Sequence, residues 1–275
     1  MTRRPYAVET GFLAAALAVG VAGFWDLYLG PDADPEPHHH LHAITSLGWL
    51  GLLLAQLRLV ASARVAWHRR LGLSVLVAGP LVVASLALLT VHSAAEGLAS
   101  GEGDTLIVQN VAVTAEVGVL LVLAFAALRR PRLHGATLLS TALFFFGIAL
   151  FFALLSFAPP FRIEGPETFY RFGTAALAAQ GVTVAVAVGL FLNDRRYGRP
   201  YLLVAGLFVA NGLAAAALGP TGGADALTRL VGGLSPGVAV GVTFVAVLGA
   251  LLVVGIRRPR RSAVPRPKPR PAPQP

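Results

Sequence analysis

The sequence predicts an all-α integral membrane protein, a bundle of about eight transmembrane helices with both termini in the cytoplasm. Three observations predict it. Of 275 residues, 56% are hydrophobic and only 13% charged, about half the charged share of a soluble domain. The apolar residues come in blocks as long as the roughly 20-residue helix that a bilayer core requires. The segments between blocks alternate in charge, arginine-rich on one side and acidic or near-neutral on the other.

Taken in order, residues 1–5 are a short basic lead with Arg3 and Arg4, and 6–29 form the first span. A basic start before an apolar run imitates a signal peptide. The run continues through Phe24, Trp25 and Tyr28, an aromatic interfacial ending, so an uncleaved helix is expected. The next loop carries Asp32, Asp34 and Glu36 and no Lys or Arg. Span two (41–62) is followed by Arg64, Arg69 and Arg70. Span three (71–91) contains Gly79-Pro80, where a kink is expected because proline lacks a backbone donor and crowds the preceding turn. Glu96, Glu102 and Asp104 make the next loop acidic.

Span four (106–128) leads into Arg129, Arg130 and Arg132, and span five (136–157) into a mixed loop with Arg162, Glu164 and Glu167. Span six (172–192) precedes Asp194, Arg195, Arg196 and Arg199. Span seven (201–218) is followed by a Gly-rich loop with Asp225 and Arg229, then span eight (237–256). The tail 257–275 is basic and proline-rich, which favours a disordered, extended segment lying near anionic lipid. The positive-inside rule places every arginine-rich segment in the cytoplasm, and eight spans satisfy all loops at once. The net charge of +9 is therefore topological, and no nucleic-acid partner is expected; the partner is the lipid bilayer. With no cysteine in the chain, thiolate metal sites, iron–sulfur clusters and covalent haem attachment are excluded.

The histidines fall into two layers. His38, His39, His40 and His42 open span two on the outer side, where His92 closes span three. His68 and His134 open spans three and five on the inner side. Imidazoles facing each other across a bundle suit b-type haem, which needs two axial nitrogens and no covalent link. The pairs His42–His92 and His68–His134 are the candidate ligands, for electron transfer or redox sensing with a membrane or periplasmic redox partner. The alternative for the outer layer is a zinc or copper site from His38, His40, His42 and His92 with Glu96 or Asp26 as carboxylate. An open coordination position there would serve a membrane hydrolase.

Polar groups inside spans are the other class of signal, because each is costly in lipid. Glu116 is the most conspicuous, with Gln109 seven residues earlier on the same face. Gln56, Gln180 and Asn211 are expected to bond between helices. A cavity centred on Glu116 would instead mark a transporter, an assembly factor or a scaffold.

His40-Leu41-His42, Gly48-Trp49, Gln56 and His68-Arg69-Arg70-Leu71-Gly72 together resemble a family of bacterial multi-span membrane proteins that has no assigned activity. The resemblance covers roughly 35 residues and implies a bacterial inner-membrane location. More loosely, the histidine layering is similar to that of transmembrane diheme b-type cytochromes, whose ligands come from four consecutive helices. This chain departs from that pattern, since span four has no histidine.

Overall fold

Inside a bilayer a backbone N–H or C=O has no water to bond, so an apolar block must satisfy its own backbone and becomes a helix. The computed structural model describes residues 6–31 and 33–256, and among them no strand occurs. The basic lead 1–5, Asp32 and the tail 257–275 lie outside the described residues. The helices are α1 (Ala7–Gly23), α2 (Trp25–Leu29), α3 (Pro37–Ala61), α4 (Val65–Gly72), α5 (Val75–Ser100), α6 (Ile107–Ala126), α7 (Pro131–Phe157), α8 (Tyr170–Asn193), α9 (Arg199–Leu218), α10 (Gly223–Gly232) and α11 (Pro236–Ile256). Seven of these segments, at α3, α5, α6, α7, α8, α9 and α11, are long and apolar enough to cross a membrane. By length and composition the chain is a multi-pass membrane protein.

The helix boundaries differ from the expected spans in three places. Expected span one is divided at Phe24 into α1 and the single-turn-and-a-half α2. Residues 65–72, where span three was expected to begin, form the separate helix α4; α5 then runs two further turns past His92 and ends on Gly101 in the left-handed conformation, a common helix stop. The Gly-rich stretch expected as a loop is helical in α10, with Thr228 and Val231 buried. Pro80 lies inside α5 without ending it.

Two helices act as hubs. α5 packs on α3, α6, α10 and α11, and α7 packs on α1, α3, α6, α8 and α9. α3 and α6 touch both hubs, so one apolar cluster runs through the four helices, with Trp49, Val82, Leu121 and Leu143 buried in it. Trp49 Nε1 donates to Thr141 Oγ1 at 2.9 Å and ties α3 to α7. Where no hydrophobic effect drives helices together, small residues let backbones approach. Gly23 is such a point: a Cβ there would stand 2.7 Å from the Ala149 carbonyl oxygen on α7.

α1 and α2 together run alongside α7. At the start, the Arg132 guanidinium lies over the Tyr6 ring at 5.2 Å, and Glu9 accepts a hydrogen bond from Asn193 at 3.3 Å. At the finish, Asp26 accepts one from the Ser156 hydroxyl, in the last turn of α7.

Candidate metal centre

α3 starts at Pro-Glu-Pro. Pro37 occupies the first helical position, where a missing N–H is not lost to the helix. Glu36 is the N-cap: its backbone carbonyl accepts from the His39 N–H at 2.9 Å, and the Glu36 N–H donates to His39 Nδ1 at 3.1 Å. A carboxylate here is also favoured by the helix dipole. The cap holds Glu36 over the first turn, with Oε2 3.3 Å from His38 Nδ1.

α5 runs antiparallel to α3 and brings in the third group. The His92 ring stacks on His38 with centroids 4.1 Å apart and an interplanar angle of 4°. The His39 ring lies on His38 as well, at 3.9 Å. His38 is buried, His92 half-buried and Glu36 exposed. One ligand atom from each of Glu36, His38 and His92 falls within 4.8 Å of the others.

These residues fit a transition-metal ion. Zinc bonds of about 2.0–2.2 Å place tetrahedral ligands about 3.4 Å apart, so side-chain adjustment of about an ångström gathers the set. Two imidazoles and a carboxylate form a three-ligand set that leaves a position open. Glu36 is exposed and therefore free to make the adjustment.

The other predicted residues lie apart from this cluster. His40 points the other way around α3, its Nδ1 3.0 Å from the Tyr28 hydroxyl, beside a groove of about 340 Å³ lined by Val21, Phe24, Trp25 and Leu47. His42 is buried one turn below His38, edge-on to Phe24 at 6.0 Å. Its ring nitrogens lie 3.4–3.5 Å from Ser46 Oγ, and Nδ1 is 3.5 Å from Ser85 Oγ, which is itself 2.7 Å from Thr45 Oγ1. Glu96 is exposed one turn beyond His92, and Asp26 is engaged with Ser156. The carboxylate that joins the histidines is thus Glu36. Its signal in the sequence was a helix-capping one, Glu36-Pro37 with a histidine three residues on, rather than a metal-spacing one.

On the inner layer, His68 and His134 sit on separate helices, each ring on its own carbonyl. His68 bonds the Gln56 backbone, and burial, assisted by Arg69, holds its pKa below the usual imidazole range against the pull of that bond. His134 Nδ1 lies 2.8 Å from the Ala124 carbonyl oxygen. Among the intramembrane polar groups, Asn211 Nδ2 donates to Glu116 at 3.1 Å, joining α9 to α6, and Gln180 Nε2 donates to the Phe208 carbonyl at 3.0 Å. Gln109 keeps a buried Oε1 with no partner among the described residues. Comparison with family models, curated proteins and solved structures gives no match, so the side-chain chemistry alone carries the functional reading.

Proposed function

We propose that the protein is a multi-pass protein of a bacterial cytoplasmic membrane that binds a transition-metal ion, zinc or alternatively copper, through Glu36, His38 and His92 at its outer face. The observation that carries this reading is the convergence of those three donors within 4.8 Å at the junction of α3 and α5. A metal with an open position supplies Lewis-acid polarisation of a carbonyl or phosphoryl oxygen. Hydrolysis of a lipid or another interfacial substrate is the reaction such a set suits. In that role His38 is the fixed ligand, clamped between His39 and His92. Glu36, exposed, is the movable one.

The topology we propose has eight crossings, with both termini in the cytoplasm. At 1.5 Å per residue, α1 is about 26 Å long and about 34 Å with α2, against a hydrocarbon core of about 30 Å. The contacts of Tyr6 and Glu9 at one end and of Asp26 at the other support a full traverse. The arginine-rich turns after α3, α6 and α8 then share the inner side, and the metal site lies outside.

Haem held by His42 with His92, or by His68 with His134, has less support. His92 lies in van der Waals contact with His38, and His134 Nδ1 is committed to the Ala124 carbonyl. The test is metal analysis of protein purified in detergent without chelator. About one ion per chain, lost in His38→Ala and in His92→Ala, supports the proposal; metal content unchanged by both substitutions overturns it.

A further inference from the structure

Where α5 closes and α6 opens, α10 packs on α5 and an open cavity of about 330 Å³ is lined by Leu98, Glu102, Gly103, Asp225, Thr228 and Arg229. None of these residues belongs to the metal centre. One wall is α10, which is held firmly against α5. Thr228 is 1% exposed, and a Cβ added at Gly232 would stand 3.0 Å from the Ala94 carbonyl oxygen. The opposite wall is the turn through Gly101 and Gly103, both left-handed with φ of 75° and 77°. A Cβ at Gly103 would stand 3.5 Å from Asp225 Oδ1. The glycine therefore leaves the space clear, and the Asp225 carboxylate borders it.

Both signs of charge line this cavity, and neither is paired. Asp225 and Arg229 are four residues apart on α10, a spacing at which an acid and a base ordinarily bridge. Among the described residues, no ion pair or hydrogen bond engages the side chain of Asp225, Arg229 or Glu102. A ligand carrying both charges can bridge groups that leave each other free. Thr228 Oγ1 donates to the Ala224 carbonyl at 3.0 Å, so it offers the cavity an acceptor oxygen. Two carboxylates and this oxygen suit an ammonium with its three N–H donors, and the guanidinium suits a phosphate, which it can grip with two N–H groups. A bare metal ion fits less well. These carboxylates do not converge as Glu36, His38 and His92 do, and Arg229 stands beside them. The volume is that of a small-molecule site. Leu98 on the cavity wall and Leu230 next to Arg229 in the chain are both exposed, which gives the rim apolar surface for an acyl chain.

We infer that the α5–α10 cavity binds a phosphoethanolamine group. Glu102 and Asp225 take the ammonium, and Arg229 takes the phosphate. This rests on the reading of the chain as membrane-embedded and is independent of the metal centre, whose residues it does not use. The group can arrive as the headgroup of a lipid or on soluble glycerophosphoethanolamine.

The experiment is native mass spectrometry of the detergent-purified full chain titrated with phosphatidylethanolamine or phosphatidylcholine. The two lipids share the phosphate and the zwitterionic charge and differ in the ammonium N–H donors. Wild type should prefer phosphatidylethanolamine by about tenfold or more, as expected for hydrogen bonds to charged groups. Glu102→Gln combined with Asp225→Asn should remove that preference, and Arg229→Gln should weaken phosphatidylethanolamine binding by a similar factor. Glu96→Gln alters an exposed acid on α5 outside the cavity and should bind as wild type does. All four side chains are exposed, so every variant should melt with wild type. Glycerophosphoethanolamine that binds as tightly as the lipid identifies a soluble ligand, and binding of the lipid alone identifies the headgroup. Equal binding of the two lipids by wild type overturns the inference, as does a preference that survives the double substitution. Metal content measured on the same samples separates this outcome from a failure of the metal reading.

Discussion

The imidazoles of His38 and His92 lie face to face across the α3–α5 interface, 4.1 Å apart and within 4° of parallel. One is in the first turn of α3, and the other sits two turns before the end of α5. The packing of these two helices thus brings two imidazoles, one from each, into direct contact.

Trp49 ties α3 to the hub α7 through a side-chain hydrogen bond. Trp49→Phe keeps most of the ring volume and removes the donor to Thr141. It should lower stability by about 1 kcal/mol, whereas Trp49→Ala should cost about 3–5 kcal/mol through the cavity it leaves. Thermal unfolding in detergent with both variants checks the ratio; equal effects would show that the hydrogen bond, not the packing, dominates.

Much of the fold was legible because blocks of apolar residues have one solution in lipid. The segments expected at 106–128, 172–192 and 201–218 match α6, α8 and α9 to within a few residues. The α3–α4–α5 region was less legible. Val65–Gly72 has a polar face and no buried residue, so nothing in a hydropathy run separates it from the span that follows. Thr228 and Val231 anchor α10 against the bundle, contacts that do not show in a Gly-rich stretch. In the site, His38 and His92 were legible as outer-layer histidines. Their pairing depends on how far α3 and α5 slide past each other, which no spacing rule fixes. Glu36 was hidden because its place just before Pro37 reads as the start of a helix rather than as a ligand spacing.

Glu116 and Asn211 form a pair whose two halves should respond differently. Glu116→Gln keeps a hydrogen-bonding group opposite Asn211 and should be tolerated. Asn211→Leu leaves the carboxyl without its donor and should cost about 1–2 kcal/mol. Thermal melts of the two variants distinguish this interhelical bond from a site that requires the carboxylate charge, in which case Glu116→Gln would be the more damaging change.

Gly97 lies against the backbone of the α5–α6 turn. A Cβ there would sit 2.5 Å from the Gly103 carbonyl carbon and oxygen, neither of which can rotate away. Gly97→Ala should therefore push the turn off the end of α5 and destabilise the protein by about 1–3 kcal/mol. Gly48→Ala, where an added Cβ meets nothing within 4 Å, is the control and should be close to neutral.

His68 gives the molecule an acid-sensitive element. Burial lowers its pKa in the folded state, so below the ordinary imidazole value of about 6.5 the unfolded chain takes up a proton that the folded one resists. The stability contribution is full above that value and declines as pH falls toward the folded pKa. Between pH 7.5 and pH 5.5 wild type should lose more thermal stability than His68→Gln. An identical loss in both would place the acid sensitivity elsewhere.

The most direct test of the metal centre is calorimetric titration of zinc into metal-free, detergent-purified protein. Wild type, His38→Ala, His92→Ala and His40→Ala are compared in parallel. One ion per chain in wild type and in His40→Ala, with binding weakened at least about tenfold in both other variants, is the predicted result. Binding that survives loss of His38 and of His92, or that disappears only with His40, would contradict a centre built on Glu36, His38 and His92.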